Sequence, residues 1–371
     1  MNTLINGTSW SRVKTGGGMR KRLRTARGSI VAIGVMSLAL AGAVLGQAPN
    51  IVWEAPTPGG LANSVVGMAW SPGTVTTQRV AAGSTDRWVR TRKADNGALI
   101  YSVLQPHRSG TADQTIYSIN GAWLAVHNSD GGTGFRVHRA ADGVFLGTLT
   151  ATLDSRGIIV FAPDAQLTGS TGGDGTLSQW RVQEFKVTHV TGSGYTRVFT
   201  VFNFSPDGTL QSTASQGKIT IRRRTDGGIV KVLSGGAPRG AQVVTFTPDS
   251  TGLAEWTPSP NQTTLWRIAD GRILMRFPSA APEEGIGSIR FTPDGLRLVT
   301  TGYLPYIDAD GLWQQKGVIR FWRVSDGAIR AQYYDRTGIG VTSPVAWAPD
   351  GARFAYGTYE GAVLAAKTPA P

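Results

Sequence analysis

The sequence predicts an all-β protein assembled from similar four-stranded antiparallel units. Three observations carry that expectation. A β-rich run ending in Ser/Thr/Ala-Pro-Asp-Gly returns at a near-constant period through most of the chain. A second β-rich run, ending in Asp-Gly, follows it in most copies, and no long stretch with helical periodicity occurs beyond an apolar N-terminal segment. The 49 glycines and 16% charged residues suit short strands joined by tight turns.

The N-terminus reads as an address. Residues 1–18 form a polar, patternless leader expected to be disordered, and Met19 is a second candidate start. Residues 19–48 hold a basic stretch, an apolar run (29–45) and small residues suited to cleavage, the layout of a secretory signal peptide. Cleavage is expected after Ala43, because Pro49 would obstruct a cut after Ala48. An uncleaved membrane anchor stays open, although residues 30–45 as a helix would reach only about 24 Å against roughly 30 Å of hydrocarbon. The expected location is extracytoplasmic, periplasmic or secreted.

The net charge of +13 points first to nucleic acid. Arg12, Lys14, Arg20, Lys21, Arg22, Arg24 and Arg27 precede the apolar run with no acid among them, which leaves +6 for the rest. There the arginines are interleaved with aspartates, so no nucleic-acid partner is expected. The absence of cysteine excludes disulfides, thiolate catalysis, Cys-based zinc and a lipidated cysteine behind the apolar run.

The first phrase is clearest at Phe204-Ser205-Pro206-Asp207-Gly208, Phe246-Thr247-Pro248-Asp249, Phe291-Thr292-Pro293-Asp294-Gly295 and Trp347-Ala348-Pro349-Asp350-Gly351. Related copies are Trp70-Ser71-Pro72-Gly73 and Phe161-Ala162-Pro163-Asp164, and Tyr117-Ser118-Ile119-Asn120-Gly121 is a degenerate one. Equivalent positions Ser71, Ser118, Ala162, Ser205, Thr247, Thr292 and Ala348 lie 47, 44, 43, 42, 45 and 56 residues apart. A period of about 40–45 is that of a four-stranded propeller blade. Pro presets φ and Gly accepts positive φ, so the phrase predicts a strand followed by a tight turn.

The second phrase is Phe321-Trp322-Arg323-Val324-Ser325-Asp326-Gly327 and Leu265-Trp266-Arg267-Ile268-Ala269-Asp270-Gly271, with weaker copies around His138 and Arg222. Trp180-Arg181-Val182 keeps the strand and lacks the Asp-Gly. Asp-Gly between two β-rich runs predicts a hairpin. The sixth unit therefore reads as strands 287–291, 296–301, 318–324 and 328–333. Together the units predict a seven-bladed β-propeller over 49–371, with blades near 65–104, 113–150, 157–190, 198–234, 241–277, 286–334 and 341–367. The last unit is one strand short (344–347, 353–357, 362–367). Asn50-Ile51-Val52-Trp53-Glu54 matches the fourth-strand phrase and is expected to complete it, hiding an edge that would otherwise recruit other strands.

This succession of Ser-Pro-Asp-Gly, β-run, Ile-Arg-Phe-Trp-Arg-Val and Asp-Gly resembles the bacterial WD-repeat propellers over roughly residues 50–367. Trp-Arg replaces the Trp-Asp dipeptide that names them, and the Gly-His pair before the first strand is missing. The family's buried Asp-His-Ser-Trp network is not carried over; only its Trp positions have matches, at Trp180, Trp266 and Trp322. Lactonase-like and quinoprotein propellers remain as alternative relatives.

Chemistry is sparse. His107, His127, His138 and His189 show no metal-ligand spacing, and no Gly-x-Ser-x-Gly elbow, phosphate-cradling loop or His-Glu-x-x-His occurs. His138 stands where other units carry Trp and reads as packed. No catalytic, cofactor-binding or metal residue is expected. One segment breaks the rhythm: the sixth unit is about 11 residues longer than its neighbours through 303–316, between its second and third strands. Tyr303, Tyr306, Asp308, Asp310 and Trp313 there compose an exposed loop of the kind found at binding hot spots, with a hairpin whose aromatics pack on the blade as the alternative. Asp308-Ala309-Asp310-Gly311 lacks the further ligands of a calcium loop. Asp86, Arg87, Arg108, Asp174, Arg239, Glu283, Glu284, Arg336 and Glu360 are expected on the same face, with Pro258, Pro260 and Asn261 shaping a neighbouring loop. Their mixed charge suits a protein or peptide partner, with a glycan as a further class. The expected function is a non-catalytic, monomeric, exported binding scaffold. The competing readings are a propeller enzyme (lactonase-like hydrolase or quinoprotein) and a cytoplasmic WD-repeat assembly factor.

Overall fold

The computed structural model describes residues 48–370, apart from 59–62, 75–76, 107–111, 113, 128–134, 150–157, 162–165, 171–176, 184–185, 194–200, 216, 235–242, 260, 280–283 and 335–343. The leader (1–18) and the signal segment (19–48) apart from Ala48, including the cut expected after Ala43, lie outside the described residues. Among the described residues the chain is all β, with no α-helix.

The first strand, β1 (Ile51–Pro56), has no partner beside it in sequence. Then four-stranded antiparallel sheets follow, each in sequence order. One is β2 (Val65–Trp70), β3 (Arg79–Ser84), β4 (Trp88–Lys93) and β5 (Leu99–Leu104). The next is β6 (Gln114–Tyr117), β7 (Trp123–His127), β8 (Phe135–Arg139) and β9 (Phe145–Leu149). It is followed by β10 (Ile158–Phe161), β11 (Gln166–Ser170), β12 (Leu177–Gln183) and β13 (Lys186–Ser193). After these come β14 (Val201–Phe204), β15 (Leu210–Ser215), β16 (Lys218–Arg223) and β17 (Ile229–Ser234). A further sheet is β18 (Val243–Phe246), β19 (Gly252–Pro258), β20 (Asn261–Arg267) and β21 (Ile273–Pro278). The sheet that carries the insertion is β22 (Gly285–Phe291), β23 (Arg297–Ile307), β24 (Trp313–Arg323) and β25 (Ile329–Tyr334). Last come β26 (Ala346–Trp347), β27 (Arg353–Gly357) and β28 (Ala362–Lys367), and β1 lies antiparallel on the free edge of β28.

The repeated phrases have local physical tasks. In Thr292-Pro293-Asp294-Gly295 the amide of Gly295 donates to the Thr292 carbonyl at 2.8 Å, and Gly295 takes φ +70°. The Thr292 hydroxyl donates to Asp294 and accepts the Arg297 amide, while Asp294 Oδ1 accepts the Leu296 amide at 2.9 Å. Ser205 with Asp207, Thr247 with Asp249 and Ser118 with Asn120 repeat this arrangement. Side chains thus satisfy the turn's backbone amides, which water would otherwise have to do.

The Asp-Gly phrase differs from a two-residue hairpin turn. Arg323 pairs with Ala328, so Val324 to Gly327 form a four-residue loop closed by Gly327 at φ +69°. A bulge between Phe321 and Trp322 accompanies it, and the same offset recurs at Thr91/Arg92, Val137/His138, Gln179/Trp180, Ile221/Arg222 and Leu265/Trp266. Loops of this length are built around type I turns, whose splay the bulge absorbs.

In β3, β19 and the inner part of β24 both faces are buried, so these sheets need a neighbour on both sides. The first strands make those contacts: β2 touches β6, β6 touches β10, β10 touches β14, β14 touches β18, and β18 touches β22. A core of Val299, Ile319, Phe321, Tyr333, Phe354, Tyr356 and Leu364 joins the β22–β25 sheet to the β26–β28 sheet. Another, including Trp53, Met68, Trp70, Val80, Ala355 and Val363, joins that last sheet back to β2–β5. Trp53 also donates its indole N–H across this junction to the Ala94 carbonyl at 3.0 Å. The circuit of sheet contacts therefore returns to its start.

Candidate functional site

An antiparallel meander places its first-to-second and third-to-fourth turns at one end of the sheet. The second-to-third turns and the connections between sheets lie at the other. At the former end, Arg139–Asp142, Arg223–Asp226, Arg267–Asp270 and Arg323–Asp326 form ion pairs on equivalent loops of four sheets. All are substantially exposed, so they contribute little to stability. Each sets one arginine against the aspartate three residues on.

The other end carries the insertion, and it is no irregular loop. β23 and β24 continue as paired strands, Leu304↔Lys316, Pro305↔Gln315, Tyr306↔Gln314 and Ile307↔Trp313. β22 accompanies β23 only as far as Tyr303, and β25 accompanies β24 only from Val318. Among the described residues 304–307 and 313–316 thus pair only with each other, and they form an arm with two open edges.

Asp308 builds the tip. Its Oδ1 accepts the amides of Asp310 and Leu312 at 3.0 and 2.8 Å, and its Oδ2 accepts Gln314 Nε2 at 3.0 Å. These bonds, the Leu312 amide first, hold its carboxyl below the usual range. Asp308 is a turn former. Asp310 is exposed beside it, with Gly311 at φ +78°.

By strand alternation Tyr303, Pro305, Ile307 and Trp313 share one face of the arm. Trp313 is 71% exposed and Ile307 58%, with Leu312 at the tip 59% exposed. Tyr306, on the other face, is 39% exposed. A two-stranded arm has no core of its own to bury these groups in, so they stand in water. At the root, the Tyr303 ring lies against the Cα of Gly285, where any Cβ would overlap it. Lys316 Nζ sits 4.2 Å from the centre of the Tyr334 ring.

The root is tied to a buried polar chain. Arg320 and Glu284 form an ion pair with side chains 1% and 0% exposed. Arg320 Nε donates to Gln332 Oε1 at 2.6 Å, and Gln332 Nε2 donates to the Tyr334 hydroxyl. Burial brings the Arg320 guanidinium down to about 10. Glu284 was expected on the binding face; it is instead an internal counter-ion. Asn261 donates to the Glu284 carbonyl and accepts the Trp256 indole at 2.8 Å and the Ser279 hydroxyl at 2.7 Å, so it too is structural.

The remaining expected residues are dispersed. Asp86 pairs with Arg90 at 2.6 Å and accepts the Trp88 amide at 3.0 Å, which commits it to the β3–β4 turn. Arg87 is half-buried in that turn at φ +69°. Glu360 is half-buried, while its neighbour Tyr359 is 42% exposed at the arm's end of the adjoining sheet. His107, Arg108, Asp174, Arg239, Glu283, Pro260 and Arg336 lie outside the described residues. Sequence reasoning named no role for Ile307, Leu312 or Tyr359. Ile307 and Leu312 could have been found by continuing the strand alternation through the insertion.

His138 is 2% exposed, bonded through Nδ1 to the Gly143 carbonyl at 3.0 Å and 5.7 Å from the Phe145 ring. Burial lowers it to about 4, with the Gly143 bond opposing. It is a packed, neutral imidazole. The Trp positions are satisfied from the second strand of their own sheets: Trp322 donates to Thr300 Oγ1 at 3.0 Å and Trp266 to Glu255 at 2.9 Å. Among the described residues no group of three His, Asp or Glu is placed to hold a metal.

No protein-family model matches the chain.

Proposed function

We propose that the chain is a seven-bladed β-propeller of the WD-repeat type, exported from the cytoplasm, that works as a non-catalytic scaffold binding a protein or peptide partner. The order of the four-stranded sheets, the closing circuit of contacts and β1 on the edge of β28 support the propeller reading. The basic-then-apolar N-terminus supports export.

The observation that carries the binding role is the arm. Soluble domains keep such a cluster of large apolar groups in water when another molecule covers it. Its open edges add unpaired backbone donors and acceptors to the apolar face, and both suit an extended peptide or a strand of a partner. A glycan would use the same aromatics by stacking and is the second ligand class.

The test is affinity capture after crosslinking in the cell envelope, using wild type and the Ile307→Ser/Trp313→Ser double variant. A partner held by wild type and lost by the variant, at equal folded protein, supports the reading. Identical partner sets remove the arm as the recognition element.

A further inference from the structure

The innermost strands carry one charge among them. β2, β6, β10, β14, β18, β22 and β26 read VVGMAW, QTIY, IIVF, VFNF, VVTF, GIGSIRF and AW, and only Arg290 in β22 is ionisable at neutral pH. Counting back from the turn phrase, the residues level with it are Ala69, Ile116, Val160, Asn203, Thr245 and Ala346. Phe291 turns into the core shared with β18–β21. Arg290 therefore points to the opposite side, towards β26. On and beside β26 the side chains turned towards this sheet are Val345 and Trp347, while Ala346 turns away into the core shared with β2–β5. On the other side Thr245 and Asn203 stand level in the two preceding sheets.

Arg290 is exposed to solvent, and among the described residues no carboxylate pairs with it. Surrounding protein nonetheless pushes its guanidinium down from the ordinary value, desolvation being the cause. Those two facts together describe a cation that water reaches inside an enclosed space. Isolated charges in such settings are costly, and a counter-ion relieves that cost. The planar guanidinium fork matches the two oxygens of a carboxylate or phosphate better than any monatomic ion.

We propose that Arg290 is the anchor of an oxyanion site in the passage enclosed by the innermost strands, one that takes a small carboxylate or phosphate. The site rests on the ring arrangement proposed above and is separate from the arm, since Arg290 adjoins the turn at the opposite end of its strand.

The experiment uses the full chain and inorganic phosphate, with acetate as the carboxylate probe, at fixed ionic strength and pH. For wild type, the melting midpoint rises saturably with phosphate or acetate. For Arg290→Gln the apparent affinity falls at least tenfold, while Arg323→Gln, on an exposed loop, leaves it unchanged. Parallel titrations for wild type and Arg290→Gln, or no saturable response to either anion, overturn the proposal. If Arg290→Gln does not fold, phenylglyoxal labelling of wild type decides. Mass mapping then shows Arg290 modified and protected by the anion, and modification indifferent to anion refutes the site. Small-angle scattering of wild type tests the ring independently: an open or extended shape ends the ring reading whatever the anions do.

Discussion

Glu284→Gln removes one half of the Arg320–Glu284 pair and leaves the other half in place. At neutral pH the guanidinium stays charged, because its lowered value of about 10 is still well above 7. The amide offers no opposing charge, and Gln332 is then the remaining acceptor at Nε. Both side chains are essentially inaccessible to water, so solvent cannot step in. Breaking such a pair costs about 3–5 kcal/mol, whereas replacing both members with apolar groups is near neutral. At roughly 2 °C per kcal/mol for a domain of this size, Tm falls by about 6–10 °C. Calorimetry and urea unfolding of Glu284→Gln, Arg320→Met and the double variant measure this directly. The double variant should recover most of the loss of the first. A Glu284→Gln loss below about 1 kcal/mol, or additive losses in the double variant, would refute the reasoning that the carboxylate is there to neutralise a trapped cation.

Three further outcomes are expected. Trp53→Ala empties the junction between the last sheet and β2–β5 and leaves the Ala94 carbonyl to Arg353 alone, costing about 3–5 kcal/mol by chemical denaturation. Gly302→Ala places a Cβ on top of the Gly285 carbonyl oxygen, a backbone atom that cannot move without shifting the β22 start; a loss of about 3 kcal/mol is expected in the same assay. For His138 the sign follows from its lowered value: above pH 6.5 folded and unfolded chains are both neutral, and below it the unfolded chain takes up the proton first. Stability is therefore lost between about pH 6.5 and 4, by up to about 3 kcal/mol, and His138→Phe should flatten that part of the wild-type pH profile.

The repeat could be read from sequence because each of its residues acts locally. Thr292 and Asp294 satisfy amides within five residues of themselves, and Gly295 and Gly327 occupy positions that other residues avoid, so the phrase carries its own geometry. The insertion was legible as an interruption, while its form, exposed loop or hairpin, stayed open. Pro305 and Gly311 read as loop residues, yet Pro305 lies on an open edge where it forfeits no bond, and Gly311 merely closes the tip. Glu284 and Arg320 stand 36 residues apart, and nothing in the spelling of either segment announces that they meet. Asp86 misled for a related reason: an acid in a turn looks presented to solvent until its neighbour at the fourth position folds over it.

The pairing of β1 with β28 has a consequence for how the molecule is made. Ile51 lies opposite Ala366, so β1, made before all the other strands described, finds its place only after β28 has emerged. Until then the growing chain holds a waiting ribbon at one end and an unfilled berth at the other. A product cut short before residue 362 would keep the ribbon and lack the berth, and one missing the ribbon would offer its berth to a sister molecule. Dimers by exchange of that single ribbon are the characteristic error of such a design, and shortening the tether between β1 and β2 would favour them.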